Sequence, residues 1–490
     1  MVARAVHEAP QAPQGDRLRI APRAAGILLA AAWAACAEPP PLDHPNVVLV
    51  CIDTLRADHL GCYGYERDTT PAIDRLAAES TVFADACAAS SWTRPSVPSL
   101  LTGTYPLQHG LYGLEGKLTH ALSDASVTLA EVFRDHGWRT AAVVCNPQLD
   151  LGNGFEQGFE DYRDDSGDAA EIERRAQTWL DSLDGEDPFF LYLHFLDAHW
   201  PYPIPDAYAT RFGGSSLPEL WGAEPGRVRD AINEGDRQST RAELDRLRAL
   251  YDGGIRYVDD QLALLFASLE ERGLADDTIV CIVSDHGEEF MEHGRIGHGH
   301  GLQENLLRVP WILHVPGRRG RRVEHPVGLV DVFPTLLAAA GVEAPASEGV
   351  DRLTRPGEDR PVFAELKELR RYQQSLRRGS RKVTRRFVLE APAPGEGAAA
   401  DGDEPAPLLS RDGIPRLILE VEPPGVRSID LAADPSEHDF RFDTSHSDPL
   451  EAELDALSKR FAAAADFDGT GARELDAATL EKLRQLGYTH

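Results

Sequence analysis

Basic residues are scarce in this chain: 50 Lys and Arg stand against 80 Asp and Glu, for a formal net charge of −30. That balance argues against a nucleic-acid binder, whose affinity rests on clustered cations neutralising phosphates. An acidic surface repels polyanions at long range, so an anionic substrate has to be captured locally, by metal. Long apolar runs are missing as well. The run Ala24 to Ala35 is too short to span a bilayer. Cysteine is sparse, six in 490 residues, and no Cys-x-x-Cys pair offers a zinc motif. Cys51, Cys145 and Cys281 fall in apolar strand-like runs and read as small buried hydrophobes. Cys62 and Cys87 are left over, free to pair in an oxidising compartment but without framework spacing that pairs them. No internal repeat is visible.

What is present begins with an expected export signal. Arg17, Arg19 and Arg23 precede the apolar run, which ends in Ala34-Ala35-Cys36. Small residues just before a cysteine point to a lipobox, with Cys36 lipidated as the mature amino terminus; plain cleavage nearby is the simpler alternative. Residues 1–36 are then the export segment, and 37–44, with Glu38-Pro39-Pro40-Pro41, a stiff linker. The expected location is periplasmic or extracellular, as a membrane-anchored lipoprotein.

The length is ample for one large α/β domain with an appendage, or for two to three smaller domains. Asn46 to Asp53 is a continuous apolar run closing on an acid, the pattern of a buried parallel strand with a functional residue at its carboxyl end. Pro188 to Leu196 repeats the pattern and exits at Asp197-Ala198-His199; Thr278 to Ser284 delivers Asp285-His286-Gly287-Glu288. Further strands are expected over 138–144 and 308–313. Helical spacing marks 127–136, 171–183 and 241–272, the last with a break near Gly253-Gly254. Residues 203–238, rich in Pro and Gly, read as an irregular excursion that shapes a substrate pocket. After residue 345 the composition shifts. Arg381 to Val388 alternates as an antiparallel strand with a solvated basic face, 391–407 reads as a disordered loop, and Leu475 to Leu486 as an amphipathic helix.

The chemistry is expected at Ser91-Trp92-Thr93-Arg94-Pro95-Ser96-Val97-Pro98, followed by Ser99-Leu100-Leu101-Thr102-Gly103. Small hydroxyl residues crowd a Pro-punctuated turn, and the Ser-Leu-Leu-Thr run begins a helix whose N-terminal N–H groups attract an anion. Alone, the string is an ordinary Ser/Thr cap.

In this order, Val48 to Asp58, Pro95-Ser96 with Leu100 to Pro106, Asp197 to Tyr202, Ser284 to Glu288 and Leu307 to Pro310 resemble the sulfatase branch of the alkaline phosphatase superfamily. Weaker echoes are Ile429-Asp430-Leu431 and the terminal Leu486-Gly487-Tyr488. The resemblance implies a doubly wound, mostly parallel sheet with helices on both faces over 45–345, then a small C-terminal α+β subdomain over 346–490. It assigns Asp53, Asp285 and His286, with Thr93, to a divalent metal. Thr93 falls on the nucleophile position, His199 would contact the transferred anion, and His300 lies near a position where the family has Lys or His. Arg94, Asn146 and His298 are expected at the substrate.

The departures narrow that reading. Sulfatases carry Cys or Ser at the nucleophile position, oxidised to formylglycine, with Arg four residues on; here those places hold Thr93 and Val97. Thr cannot give the aldehyde. Thr54 replaces a second acid, and Cys145-Asn146-Pro147 stands where an active-site Lys is expected. A Thr hydroxyl bound to metal remains a competent nucleophile, as in the phosphodiesterase and headgroup-synthase branches that this sequence also resembles. An Asp/Asp/His/Thr set suits Zn²⁺ or Mn²⁺ better than Ca²⁺. A second metal on Asp197, His199 and His298 or His300 stays open, as does which of those two histidines protonates the leaving group. Blander readings stand beside these: helix caps for Asp53 and Asp285, a solvated Gly-His loop for His298 and His300, and a core histidine for His194. The expected function is an exported, metal-dependent hydrolase of sulfate or phosphate esters acting on a small-molecule or glycan substrate. A phospho-headgroup transferase and a catalytically degenerate binding protein are the alternatives.

Overall fold

A computed structural model describes residues 42–112, 118–164, 167–185, 187–222, 224–368, 371–388, 425–438, 448–465, 472–475 and 477–486. The expected export segment, the lipidated Cys36, the loop 391–407 and Gly487-Tyr488 lie outside these residues.

In chain order the strands are β1 (Asn46–Ile52), β2 (Thr81–Cys87), β3 (Leu118–His120), β4 (Arg139–Val144), β5 (Asp161–Arg163), β6 (Phe189–Phe195), β7 (Thr278–Val283), β8 (Glu289–Phe290), β9 (Ile296–Gly297), β10 (Arg308–His314), β11 (Arg321–Val323), β12 (Val327–Gly328), β13 (Val362–Glu368), β14 (Arg371–Arg378), β15 (Arg381–Val388), β16 (Gly425–Asp430) and β17 (Ala472–Glu474). Among the described residues the main sheet has nine strands, ordered β11-β2-β10-β7-β1-β6-β4-β5, with β12 paired to β2. β7, β1, β6, β4 and β5 run parallel to their neighbours in that series. β10 runs antiparallel to both β2 and β7.

Both faces of the sheet are covered, as the uniformly apolar runs require. Along β1, Val47, Leu49 and Cys51 enter one core with the helices Thr93–Thr102, Leu129–Asp135 and Val332–Ala339. Val48, Val50 and Ile52 enter the other with Pro71–Ala78, Ala169–Asp181 and Arg241–Glu271. This is the doubly wound arrangement expected from the sequence.

The helix Arg241–Glu271 runs unbroken for 31 residues, so the break expected at Gly253-Gly254 is absent. Its glycines serve contact instead: a Cβ on Gly253 would lie 2.4 Å from the Tyr208 carbonyl oxygen, and one on Gly254 2.3 Å from that of Asp197. The excursion 203–238 is also more regular than expected, with helices at Asp206–Ala209, Leu217–Trp221 and Pro225–Asn233. Buried Ala209, Leu217, Trp221 and Ile232 dock it on the core, a tertiary preference that local Pro and Gly content does not reveal. Cys62 and Cys87 are free thiols, so the disulfide left open by the sequence does not form. Cys51 and Cys281 are buried as expected, while Cys145 is partly exposed.

β13 to β16 form a four-stranded antiparallel sheet, covered by the helix Pro449–Ala463. Phe363, Leu376, Val383, Leu450 and Phe461 share one apolar cluster with Tyr105, Leu107 and Val330 of the preceding region. The basic face expected of β15 is not simply solvated. Lys382 is buried and its Nζ lies 2.8 Å from Glu304 and 3.3 Å from Glu437. Those acids lie 78 and 55 residues away in sequence, beyond the reach of a local charge pattern. The last described elements return to the main domain: β17 pairs with β3, and Leu475, Leu480, Leu483 and Leu486 share an apolar cluster with Trp92. The helix expected near the end spans Ala477–Gln485.

Candidate active site

Because β1, β4, β6 and β7 are parallel neighbours, their carboxyl ends share one edge of the sheet, where open α/β sheets bind ligands. That edge gathers Asp53, Asn146, Asp197 to His199, and Asp285-His286. Asp53 donates its backbone N–H to Phe195 O across 2.9 Å, locking its position between strands. The next residue, Thr54, sits at φ +59°, a left-handed conformation that a β-branched side chain rarely adopts. Surrounding bonds hold it there: Thr54 N–H to Asp285 Oδ1 at 3.3 Å, Thr54 Oγ1 to Ala198 O at 3.0 Å, and Tyr251 O–H to Thr54 O at 2.7 Å.

The helix begins at Thr93 itself rather than at the Ser-Leu-Leu-Thr run, with Trp92 in extended conformation as the residue before it. Ser96 Oγ donates to Asp285 O at 2.6 Å, tying the first turn to the end of β7. Thr93 Oγ1 consequently lies 3.3 Å from His286 Nε2, 3.4 Å from Asp53 Oδ2 and 3.4 Å from Asn146 Nδ2. All these residues are buried.

Asp53 Oδ2 accepts from Asn146 Nδ2 at 2.7 Å and from His194 Nε2 at 3.1 Å. Burial alone would push this carboxyl up. The fields of His199, His286 and His194, with the His194 hydrogen bond, carry it well below the ordinary carboxylate range. Asp285 goes the other way, raised by burial and by the charge of Asp53. His194 is a core histidine in that both its nitrogens are satisfied, the second by Tyr192 O–H at 2.9 Å. Its partner makes it part of the site as well. The signal that finds it is pairing register: His194 stands opposite Cys51, two positions before the carboxylate-bearing strand end is complete.

The remaining histidines divide. His286 Nδ1 faces Gly287 O at 3.0 Å; a carbonyl only accepts, so this nitrogen carries the proton and Nε2 presents its lone pair toward Thr93. His199 Nδ1 likewise donates to Trp200 O, so Nε2 of its neutral ring is an acceptor. Burial lowers His199 to about 4, against the opposing pull of Asp53. The His298 ring lies 4.5 Å from that of His286 and 4.8 Å from that of His199, with Nδ1 3.4 Å from Glu288 Oε2. Burial holds His298 well below the usual histidine range and Glu288 well above the carboxylate range. His300 turns to Glu289, 2.8 Å from Nε2, and to His298 O, 3.2 Å from Nδ1. The guanidinium of Arg94 is buried against backbone, donating to Gln148 O at 3.2 Å and to His120 O. It thereby braces the Asn146 turn, whose Oδ1 accepts from Gln148 N–H at 3.0 Å.

Ligand atoms of Asp53, Asp285 and His286 lie within 4.8 Å of one another. Asp53 Oδ1 and Asp285 Oδ2 are buried without a hydrogen-bond partner, a costly state that a bound cation relieves. With the His286 lone pair, two orphaned carboxylate oxygens and a nearby hydroxyl, the residues fit a divalent metal. Among the described residues, one other group converges this way, Asp85, Cys87 and Glu304. There Arg377 and Lys382 supply the positive charge. The second-metal arrangement around Asp197 is not assembled: Asp197 Oδ1 accepts from Ala169 N–H at 3.1 Å, capping a helix, and burial raises its carboxyl to about 7.

The fold class is that of the alkaline phosphatase superfamily, and solved structures share it over nearly the whole chain. One, determined in complex with its substrate D-glucosamine-2-N,6-O-disulfate, has a TM-score of 0.63 at 17% identity, covering 91% of this chain and 98% of its own. The phosphonate monoester hydrolase of Agrobacterium radiobacter has 0.61 at 18% identity, covering 88% and 100%. A family model described as Sulfatase matches residues 45–342, more than half of the sequence. An arylsulfatase of Clostridium perfringens is 25% identical over 370 residues, 62% of this chain and 76% of that protein. The multifunctional alkaline phosphatase superfamily protein PehA of Trinickia caryophylli is 26% identical over 409 residues, 65% and 78%. The chain belongs to the sulfatase family of ester hydrolases.

Proposed function

We propose that this protein is an exported hydrolase of sulfate or phosphate esters, on small molecules or glycans, that uses Thr93 directly as its nucleophile. The observation that carries this reading is the Thr93 hydroxyl at a helix start, 3.3 Å from the His286 lone pair and 3.4 Å from Asp53. Asp53, Asp285, His286 and Thr93 would hold one divalent cation, with Zn²⁺ or Mn²⁺ suited to the set. When bound it would supply positive charge that favours the ionised hydroxyl and offsets the charge of the ester oxygens.

In the first step Thr93 Oγ1, its proton released to solvent, attacks sulfur or phosphorus, the bond to the alcohol oxygen breaks, and that oxygen takes a proton from His298. Glu288, beside His298 Nδ1, resupplies it. His298 suits this task better than His300, which is committed to Glu289. In the second step water attacks the same atom, the Thr93 ester bond breaks, and inorganic sulfate or phosphate leaves. His199 Nε2, an acceptor in the neutral ring, takes the water's proton. Asn146 orients Asp53 and Thr93, and Arg94 holds the Asn146 turn.

Phosphoryl chemistry is supported by the likeness to PehA and, in fold, to the phosphonate monoester hydrolase; sulfuryl chemistry by the arylsulfatase. The basic, apolar, Cys-terminated amino end supports export and a lipid anchor at Cys36. A panel of aryl sulfate, phosphate monoester, phosphodiester and phosphonate ester, run with metal content measured, tests the reading. Metal-dependent turnover of at least one supports it, and turnover unchanged in Thr93→Ala refutes it.

A further inference from the structure

The site as described has acids, histidines and a hydroxyl, yet its substrate is an anion. Arg94, next to the nucleophile, is spent on backbone carbonyls. Arg56 is spent on Asp58, Glu292 and Glu288 O. His199, with Nδ1 donating to Trp200 O, has no proton on Nε2 to offer an anion while its ring is neutral. Beyond the divalent cation proposed for Asp53, Asp285 and His286, a fixed positive side chain is needed from elsewhere.

The helix Pro225–Asn233 of the excursion brings one. Asn233 clamps it to β9: Nδ2 donates to Ile296 O at 2.9 Å, and Oδ1 accepts from Ile296 N–H at 2.8 Å. His298 follows β9 by one residue. One helical turn before Asn233, on the same face, Arg229 lies largely buried, 9% exposed, with its guanidinium 5.2 Å from the ring centre of Trp200. Trp200 is the residue whose carbonyl anchors His199, and its ring packs on Trp221 at 5.7 Å. Arg229 Nε and Nη2 meet only the neighbouring Asp230, at 3.2 and 2.9 Å, while Nη1 has no hydrogen-bond partner among the described residues. The positive field of Arg229 is felt at His199, His298 and Glu288.

We propose that Arg229 is the anion-binding side chain of this site, pairing with an oxygen of the substrate's sulfate or phosphate group on the flank away from Asp53 and Asp285. This rests on the hydrolase reading and deepens it: the excursion contributes the charge that Val97 and Asn146 lack. A guanidinium suits the role, since its planar fork matches two oxygens of a tetrahedral oxyanion. Its stacking on Trp200 fixes the fork before substrate arrives.

The test is calorimetric titration of the full-length protein with inorganic phosphate and with sulfate, beside the ester kinetics. Arg229→Met keeps the stack on Trp200 and removes the charge; binding of both anions is expected to weaken at least about tenfold, with the thermal midpoint held. Arg229→Lys should fall between the two. Asp230→Asn, which releases the guanidinium from its neighbour, should tighten binding and does not depend on the Met variant folding. Unchanged anion affinity in Arg229→Lys and Asp230→Asn overturns the proposal, even where the wild type hydrolyses esters. Anion binding that needs Arg229 in a protein without turnover leaves the proposal standing and removes the hydrolase reading.

Discussion

His194 Nε2 donates to Asp53 Oδ2 across 3.1 Å, so the carboxylate is turned with Oδ1 left open toward Asp285 and His286. A hydrogen bond of this kind fixes a metal ligand's orientation and is worth about 10–100-fold in metal affinity. His194→Ala is therefore expected to weaken Zn²⁺ or Mn²⁺ binding by that order, read by competition with a chelator. Asp285→Asn should abolish stoichiometric metal altogether. Equal affinity in His194→Ala and wild type would show that Asp53 needs no such support.

Gly254 offers a test of how the long helix positions the site. In an ordinary helix interior Gly→Ala stabilises by about 1 kcal/mol. Here the added Cβ would meet the Asp197 carbonyl oxygen at 2.3 Å and Ala198 Cα at 3.1 Å, both in the turn that carries His199. Gly254→Ala should instead cost about 1–3 kcal/mol in chemical denaturation and reduce turnover. A stabilised variant would contradict the packing.

Gly254 also shows what the sequence could and could not yield. The strand runs, the acids closing β1 and β7, and the hydroxyl-rich stretch at Thr93 were legible because hydrophobic period and strand-end chemistry are local. The glycine pair looked like a break because propensity is local too, whereas the reason for the glycines is a loop some 50 residues away in sequence. His194 and Arg229 became visible only through strand register and through a helix docked by Asn233. Lys382 in β15 looked solvated because its partners Glu304 and Glu437 arrive from other segments.

His109 sets a pH dependence away from the metal. Leu111 N–H donates to its Nδ1 at 3.2 Å, so Nε2 carries the proton toward Ser99 Oγ at 3.1 Å, and the ring is neutral. Burial lowers it to about 3. Between that value and the ordinary histidine range near 6.5, the unfolded chain binds a proton that the folded one does not. Stability should therefore rise with pH through that window, by up to about 1.4 kcal/mol per unit from this group, and level off above it. His109→Gln should flatten the slope relative to wild type in urea denaturation from pH 4 to pH 7, and an unaltered slope would mean the ring is charged in the fold.

The central claim is that an unmodified Thr93 forms a covalent ester with the substrate's sulfuryl or phosphoryl group. Its most direct test is rapid acid quench of the metal-loaded enzyme during turnover, followed by mass spectrometry of the peptide containing Thr93. The account predicts a sulfated or phosphorylated Thr93 in wild type, the same adduct on Ser in a partly active Thr93→Ser, and neither adduct nor turnover in Thr93→Ala. Full turnover by Thr93→Ala, or an adduct carried by another residue, would contradict it.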